Sequence, residues 1–333
     1  MSIQVVQRGA TALVDSARTA LFEAGFRFDL ASSDPDEHSE RAAYWGLEHV
    51  QLGSGHFQGR LRAIHSGRVQ LSHDQREPGL ITRGLIPAGT LAVSSVIERA
   101  TPVLFNGTRV NDARLMFGES NREFDLRMRG RVELITIAVN ASFFEQHARA
   151  LVGPAFLEGD SVRLLQLRSP ESRNRLNRQL LDLLHEGLDT PDRLREAGVA
   201  AAWEARLLDA WLADVVAPDP NFSSLTRHTA AKRAEDFLRA NLDRPVSLGE
   251  LCQESGVPQR TLMLGFGELF GVPPGVYHRV LRLNRARREL LRAGPHETSV
   301  AAVALRWGFD HLGRFARDYR RMFGVSPIET LRG

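Results

Sequence analysis

The sequence predicts an α+β protein of two domains, an N-terminal β-barrel or β-sandwich with flanking helices and an all-helical C-terminal domain. Three observations lead to this prediction. Short alternating segments joined by Gly-rich turns fill residues 26–139, which is typical of antiparallel β domains. Helical spacing begins at residue 141. A stretch with two prolines and small polar residues, 217–226, reads as a linker before the last part of the chain.

Length and composition set the limits of this prediction. The chain has 333 residues, enough for two hydrophobic cores. It has no apolar run of about 18 residues that could span a membrane, and its first residues lack the pattern of a signal peptide. The single cysteine, Cys252, excludes an intramolecular disulfide and a multi-cysteine metal site. We therefore expect a cytoplasmic protein.

The charge of the chain is unevenly distributed. Residues 221–333 carry 18 Lys/Arg against 11 Asp/Glu, whereas the rest of the chain carries 25 against 29. A basic C-terminal third on a slightly acidic body indicates that only this third meets a polyanion.

The β part contains two hairpin signals and one buried strand. Two alternating segments flank Ser66-Gly67, and Asn106-Gly107 lies between two apolar runs, which is the strongest short hairpin signal. Residues 132–139, "VELITIAV", alternate and then become fully apolar, as a buried strand does.

Residues 141–216 are predicted to be helical. The segment "ESRNRLNRQLLDLLHEGL" carries an apolar stripe at helical spacing. Such a stripe is typical either of a dimer surface or of an intramolecular core, and the sequence favours the first. The stripe consists of Leu176, Leu180, Leu183 and Leu184.

The C-terminal part contains an internal repeat. Residues 248–257 match 300–309, and residues 262–274 match 315–327. Each copy has a short helix, a glycine suited to a sharp turn, and a second helix with apolar residues at i, i+4 and i+8. The first copy begins at a capping box formed by Ser247 and Glu250. The matching apolar residues are Leu262, Phe266 and Phe270 in the first copy and Phe315, Tyr319 and Phe323 in the second.

This pattern is typical of the helix-turn-helix, whose second helix enters the major groove of DNA. We place the first unit at about 247–270 and the second at about 299–323. Residues 275–294 predict a linking helix that holds the two reading helices about 34 Å apart, in two adjacent major grooves. Its apolar residues are Val276, Val280, Leu283, Leu290 and Leu291, and its arginines on other faces are Arg279, Arg282, Arg285, Arg288 and Arg292. Some of these arginines are expected to contact phosphates.

The segment "RLNRAR" and the ending "VAAVALRWGFDHLGRFARDYRRMFGVSPIETLR" resemble the AraC/XylS family of transcription regulators. The resemblance covers residues 227–332 and implies a DNA-binding domain at 227–333. The preceding part, 1–216, more loosely resembles the cupin-like half of such proteins, which binds effectors or dimerises. The resemblance implies double-stranded promoter DNA, RNA polymerase and a second copy of the chain as partners. It also implies a transcription activator that is associated with the nucleoid.

The residues at the start of each second helix are the candidates for DNA contact. Arginine can bond guanine and glutamine can bond adenine in the major groove. The first helix is less polar than the family pattern, so its outer surface is alternatively expected to pack on another protein. The candidates are Gln259, Arg260, Thr261 and Met263 in the first unit and His311, Leu312, Gly313, Arg314 and Arg317 in the second, with Arg320 and Arg321 on phosphates.

The sequence predicts no catalytic residue, metal or cofactor. His56, His65 and His73 lack the His-x-His pattern of a metal cupin, and "LGSGHFQG" (52–59) is expected to be a β-turn rather than a phosphate loop. Trp45, Phe57, Ile64 and Phe105 line either a ligand pocket or the core.

Three functions therefore remain, and the first is favoured. It is a regulator modulated by a small ligand at the N-terminal domain. The second is a regulator whose N-terminal domain only dimerises or binds a protein. The third, a cupin-like enzyme with a nucleic-acid-binding tail, is disfavoured.

Overall fold

A computed structural model describes residues 21–40, 42–151, 162–218, 226–294 and 296–333. The strands are Arg27–Ser32 (β1), Glu48–Gln51 (β2), Gln58–His65 (β3), Val69–Glu77 (β4), Leu80–Leu85 (β5), Thr90–Arg99 (β6), Val103–Phe105 (β7), Thr108–Val110 (β8), Arg114–Glu119 (β9), Glu123–Arg127 (β10), Val132–Asn140 (β11), Val162–Leu167 (β12) and Val215–Pro218 (β13). The α-helices are Pro35–Glu40 (α1), Ala141–Leu151 (α2), Pro170–Asp189 (α3), Ala197–Leu212 (α4), Thr226–Ala240 (α5), Leu248–Ser255 (α6), Gln259–Leu269 (α7), Pro274–Arg292 (α8), Val300–Arg306 (α9), Leu312–Phe323 (α10) and Pro327–Arg332 (α11).

The strands form two antiparallel sheets, which confirms the predicted α+β fold with an N-terminal β part. The large sheet has the order β1-β3-β4-β11-β6-β9-β12-β13, and the small sheet has the order β2-β5-β10-β7-β8. Both predicted hairpins are present, at β3–β4 and at β7–β8. Asn106 and Gly107 have φ angles of 47° and 80°, as a two-residue hairpin turn with positive φ at both positions requires.

The large sheet packs its outer face against α3 and α4. The four leucines predicted as a dimer surface, Leu176, Leu180, Leu183 and Leu184, are all buried in one core with sheet residues such as Leu71 and Ile137. The prediction of a dimer surface at this stripe is therefore wrong, and the alternative of an intramolecular core is the one observed. The physical reason is that an open eight-stranded sheet must itself cover an apolar face.

Two strands lie within the region predicted to be entirely helical. Strand β12 pairs with β9, and β13 pairs with β12 at the edge of the large sheet. The sequence of β12, "VRLLQL", is a short apolar run, and periodicity alone cannot distinguish such a run from a buried helical segment. Strand β13 includes Ala217 and Pro218, the first two residues of the predicted linker; residues 219–225 of that linker lie outside the described residues.

The small sheet turns its outer face toward the C-terminal helices. Val50 on β2 and Ile81 on β5 belong to the same buried core as Leu262, Phe266 and Tyr277 of the helical part. His49 and Thr82, which alternate with these residues along the two strands, are also buried. Thr82 Oγ1 and His49 Nδ1 form a hydrogen bond of 3.0 Å. The two-sheet N-terminal part, which we call the barrel, and the helical part therefore share a core.

The helical part contains the two predicted helix pairs. Helices α6 and α7 are joined through Gly256 at φ 69°, and α9 and α10 through Gly308 at φ 70°. The capping box of Ser247 and Glu250 is formed. A second one, Ser326 with Glu329, begins α11. Positive φ at both turns explains why glycine occupies them.

Helix α8 links the two pairs along its length. Val280, Leu283 and Leu290 are buried, as predicted. Val276 and Leu291 are 43% and 47% exposed, so the expectation that they pack on the two units is wrong. They lie near the two ends of the helix. Within the described part of the chain, no helix has the length and hydropathy needed to cross a membrane.

Candidate nucleic-acid interface

The second reading helix, α10, has two chemically distinct faces. His311, Leu312, Gly313, Arg314 and Arg317 are exposed at its N-terminal half. Arg320 and Arg321 are exposed nearer its C-terminus. The Arg314 side chain is 62% exposed, and its Nε is 3.8 Å from Asp318 Oδ2, too far for a hydrogen bond. This guanidinium can therefore turn toward an external acceptor.

The opposite face of α10 holds the helix on its own unit. Phe309, Phe315, Tyr319 and Phe323 form a continuous series of ring contacts, with centroid distances of 4.9, 5.6 and 4.7 Å. The Tyr319 hydroxyl donates to Thr330 Oγ1 at 2.9 Å, and burial raises the pKa of this hydroxyl. The aromatic stripe therefore fixes which side of α10 faces outward.

The first reading helix, α7, is less polar. Gln259 and Arg260 are exposed, while Thr261 and Met263 are half-buried. Leu264 is 53% exposed, so an apolar side chain occupies the outward face. Two of the predicted DNA contacts in this unit, Gln259 and Arg260, thus have freely projecting polar side chains.

The barrel contacts the C-terminal end of α7. Arg129 Nη2 donates to the Gly267 carbonyl at 3.3 Å, and any side chain at Gly271 would overlap the Arg129 guanidinium. The outer surface of this helix was alternatively predicted to pack on another protein. In the structure, the barrel of the same chain packs there, at the end opposite to Gln259.

A second barrel segment contacts the C-terminal end of α10. Gln51 Nε2 and the Gly55 amide both donate to the Met322 carbonyl, at 2.9 and 3.0 Å. The ring of His56 lies against Gly324, where a side chain would clash with it. Gly55 and His56 belong to the segment "LGSGHFQG", which the sequence predicts only as a β-turn. No local signal in the sequence reveals this contact.

The barrel also binds the linking helix α8. Asn284 exchanges two hydrogen bonds with the Gln51 backbone, at 3.0 and 3.1 Å, much as a neighbouring strand would. Arg287 pairs with Asp34 at 2.8 Å, and Arg288 pairs with Asp36 at 2.8 Å. The carboxylates come from α1 and the residue just before it.

These contacts reduce the number of linking-helix arginines that could contact phosphates. Arg288 is engaged by barrel carboxylates, and Arg282 is buried with its guanidinium 4.5 Å from the centre of the Phe309 ring. Arg285 is 3.6 Å from Glu48. Arg282 and Arg288 are therefore not placed to bind phosphates, because the second unit or the barrel occupies their surroundings, whereas the Arg285 side chain is still 41% exposed. Arg279 and Arg292 are at least partly exposed.

A buried ionic cluster lies where the small sheet meets α5 and α8. Glu235 accepts hydrogen bonds from Arg83, Arg127 and the Tyr277 hydroxyl. Asp125 accepts from both arginines, with Arg127 Nη2 at 2.9 Å and Arg83 Nε at 3.1 Å. We call these five residues the interdomain ion cluster.

The environment of the interdomain ion cluster sets its protonation. Burial pushes the pKa of Asp125 upward, but Arg127 and Arg83 outweigh it and hold this pKa below its usual value. Burial, together with Glu235, raises the pKa of Tyr277 well above its usual value. Tyr277 therefore stays protonated, and its hydroxyl donates a hydrogen bond to Glu235.

The three histidines considered as metal ligands lie in different surroundings. His65 packs among Phe22, Phe26 and Phe28, and burial lowers its pKa to about 3. His73 lies between Arg62 and Glu133, and His56 faces Gly324. Among the described residues, no group of three or more His, Cys, Asp or Glu could hold a metal ion.

The aromatic and aliphatic residues considered for a ligand pocket are core residues. Trp45, Phe57, Ile64 and Phe105 are all buried. Trp45 packs with Phe28 and Ala63 inside the barrel, while Ile64 faces the helices on the outer side of the large sheet. They belong to separate packing clusters and do not line one site.

Comparison with known proteins agrees with this geometry. A family model described as a helix-turn-helix domain matches residues 251–333. A probable thc operon regulatory protein of Rhodococcus erythropolis is 34% identical over 162 residues, which are 46% of this chain and 47% of that protein. The XylDLEGF operon transcriptional activator of Pseudomonas putida is 37% identical over 101 residues, 30% of this chain and 32% of that protein. The chain thus matches less than half the length of either relative.

One solved structure is similar over about a third of the chain. A probable AraC family transcriptional regulator from Rhodopseudomonas palustris CGA009 is 38% identical, covering 31% of this chain and 98% of that one, with a TM-score of 0.29. The residues that the family model matches, 251–333, run from within α6 to α11. Through this C-terminal DNA-binding domain, the chain belongs to the AraC/XylS family of transcription regulators.

Proposed function

We propose that this protein is a transcription activator that reads two adjacent major grooves with α7 and α10. The observation that supports the proposal best is the position of the barrel. It contacts the C-terminal ends of both reading helices, at Gly267 and Met322, and leaves Gln259, Arg260, Arg314 and Arg317 exposed. The ends that would meet base edges are therefore unobstructed while the two halves of the chain are docked.

Selection of binding sites from random DNA by the full-length protein tests this proposal. Two conserved half-sites with centres about 10 base pairs apart are expected, since the two helices would enter successive turns of one groove. Selected sequences with a single conserved half-site would contradict two-groove reading. Failure to enrich any sequence would contradict specific DNA binding itself.

Arg314→Ala is expected to weaken binding to the selected site by about 1–3 kcal/mol. The exposed guanidinium can make two hydrogen bonds to a guanine, and alanine removes both. Competition binding against single-base variants of the site measures the effect, and selectivity is expected to relax at one base pair only. An equal loss on random DNA would show that Arg314 contacts phosphate instead.

Arg321→Ala is expected to weaken binding to all DNA sequences to a similar degree. If Arg321 neutralises one phosphate, its removal lowers the slope of log K against log salt concentration by about one. Fluorescence anisotropy across a salt series measures the slope. An unchanged slope for Arg321→Ala would rule out the phosphate contact.

We also propose that a small ligand modulates DNA binding through the N-terminal part. The alternative is a barrel that only dimerises or binds a protein partner. A thermal-shift screen of the full-length protein against metabolites separates the two, because a ligand that binds the folded state raises the unfolding temperature. The family further implies RNA polymerase and a second copy of the chain as partners, and a cytoplasmic location on the nucleoid.

A further inference from the structure

Three side chains around helix α1 form a continuous hydrogen-bonded series. Ser32, the last residue of β1, has its Oγ 2.7 Å from Nδ1 of His38 on α1. The other ring nitrogen, Nε2, lies 3.0 Å from Asp74 Oδ1 on β4. A hydroxyl, an imidazole and a carboxylate joined in this order are the groups that activate a serine for attack on a carbonyl carbon.

The charge on Asp74 sets the direction of these hydrogen bonds. Burial favours the protonated carboxyl, but Arg76 and His38 outweigh it and hold the pKa of Asp74 well below its usual value. Arg76 Nε lies 3.1 Å from Asp74 Oδ2. Because an ionised carboxylate only accepts, His38 Nε2 carries a proton and donates it to this hydrogen bond. In the neutral ring, Nδ1 then has the lone pair and accepts from the Ser32 hydroxyl, as a general base for this serine must.

The imidazole of His38 is held in one position. His38 is 2% exposed, and the ring of Phe57 packs edge-on against it at 5.5 Å. Gly59 on β3 gives the clearance that the ring needs, since a Cβ there would lie 2.5 Å from His38 Nδ1. With both nitrogens bonded and one face packed, the base is aligned with Ser32 before any substrate arrives.

A cavity of about 630 Å³ gives a substrate access to the serine. Ser32 is half-buried and lines this cavity, and Gln58, an exposed residue, lines it as well, so the cavity is open to solvent. Arg60 and Arg131 also line it, with side chains 53% and 51% exposed. Guanidinium groups there can stabilise the negative charge that develops on the carbonyl oxygen during attack.

The fixed charges around the cavity favour a neutral substrate. Arg60 is paired with Asp29 at 2.7 Å. Two glutamates, Glu37 and Glu77, line the cavity together with the arginines. Because the two signs of charge largely offset each other, an ionic substrate gains little here, and the polar walls suit a small polar molecule.

We propose that Ser32, His38 and Asp74 hydrolyse small neutral carboxylic esters, an activity that goes beyond DNA binding. Ser32 Oγ bonds to the acyl carbon while its proton passes to His38 Nδ1. The ester C–O bond then breaks, and the leaving oxygen takes that proton and departs as the alcohol. Water attacks the acyl-serine in the same way. Its proton passes through His38 Nδ1 to Ser32 Oγ, and the carboxylic acid is released.

Asp74 touches no reacting atom and is a positioning residue. It keeps the ring proton of His38 on Nε2 and stabilises the imidazolium that forms when Nδ1 takes the proton of Ser32.

Labelling of the full-length protein with a fluorophosphonate tests the activated serine directly. The reagent loses fluoride to a nucleophilic serine and leaves a stable Oγ–P bond. One adduct is expected, and peptide mapping by mass spectrometry is expected to place it on Ser32. An unlabelled protein beside a labelled reference esterase, or an adduct on a different serine, would overturn the proposal.

Hydrolysis of 4-nitrophenyl acetate by variants measures turnover. Ser32→Ala is expected to lower kcat about 100-fold or more and to bind the selected DNA as the parent does. Asp74→Asn is expected to lower kcat to a similar degree with KM within about twofold, since its amide donates to Nε2 and moves the ring proton to Nδ1. Ser54→Ala, at an exposed serine between β2 and β3, is the control with unchanged kcat.

Two kinetic outcomes contradict the assignment. If Ser32→Ala keeps the kcat of the parent, another group performs the hydrolysis, even where Asp74→Asn fails to fold. A change in KM alone for Asp74→Asn would show that Asp74 does not act through His38. Ester hydrolysis and DNA binding are measured on the same preparations, so the failure of one proposal leaves the other standing.

Discussion

Glu235→Ala is expected to lower the free energy of unfolding by about 3–5 kcal/mol, because removing one partner of a buried ion pair leaves the others uncompensated. Glu235 is 1% exposed and bonds Arg83, Arg127 and Tyr277. After its removal, both arginines depend on Asp125 alone, and the Tyr277 hydroxyl loses its acceptor. Denaturant titration of the full-length protein measures the change.

The control for this prediction lies next in the chain. Asp236 is exposed on the same helix, α5, so Asp236→Ala is expected to change stability by no more than about 0.5 kcal/mol. Since the two arginines come from the barrel and Glu235 from the helical part, Glu235→Ala is also expected to loosen the contact between them. Equal stabilities for the two variants would mean that the interdomain ion cluster contributes nothing to folding.

Phe315→Ala is expected to cost about 3–5 kcal/mol, the usual loss for a large buried aromatic side chain. Phe315 is 1% exposed and joins Phe309 to Tyr319 in the ring series that holds α10. Truncation to alanine removes the ring contacts of Phe315 with Phe309 and with Tyr319 and leaves a cavity. Specific DNA binding is expected to fall as well, since α10 loses the packing that orients its outer face.

A variant two residues further on separates folding from recognition. Arg317 is exposed on α10, so Arg317→Ala is expected to leave the unfolding midpoint in denaturant nearly unchanged while it weakens DNA binding. Phe315→Ala is expected to change both quantities. Parallel losses of stability in the two variants would contradict the assignment of these residues to opposite faces of the helix.

The helical part could be predicted in detail because its signals are local. The capping box at Ser247, the turn glycines Gly256 and Gly308, and the apolar spacing of Phe315, Tyr319 and Phe323 all act within about a dozen residues. Each signal fixes a backbone geometry or a buried face without reference to the rest of the fold. The repeat also supplied two copies of the same pattern, which makes an accidental match improbable.

The contact between the two halves could not be predicted, because its partners are distant in the chain. Asp125 and Arg127 are two residues apart on β10, the spacing of polar residues on the solvent-facing side of an antiparallel sheet. Their partner Glu235 is 108 residues from Arg127, and it reads as a charge on the outside of a helix. The same limit applies to Asp34 and Asp36, which bind arginines of α8.

The errors in the first half of the chain have a similar origin. The stripe at Leu176 shows that α3 has an apolar face, but it does not show whether a sheet or a second copy of the chain covers it. The answer depends on the large sheet, whose outer face includes Leu71 and Ile137. The N-terminal fold class was predictable from the alternation of apolar and polar residues and from the turn residues. The layer that covers each face of the sheets was not.

The hydrogen bonds that Gln51 and Gly55 make to Met322 limit how the segment between β2 and β3 can change in length. Surface segments rich in glycine and serine usually tolerate insertions and deletions. Here the addition or loss of one residue would shift the Gly55 amide away from the Met322 carbonyl and move His56 off Gly324. Among relatives that dock in the same way, this segment should therefore keep its length even where its side chains differ.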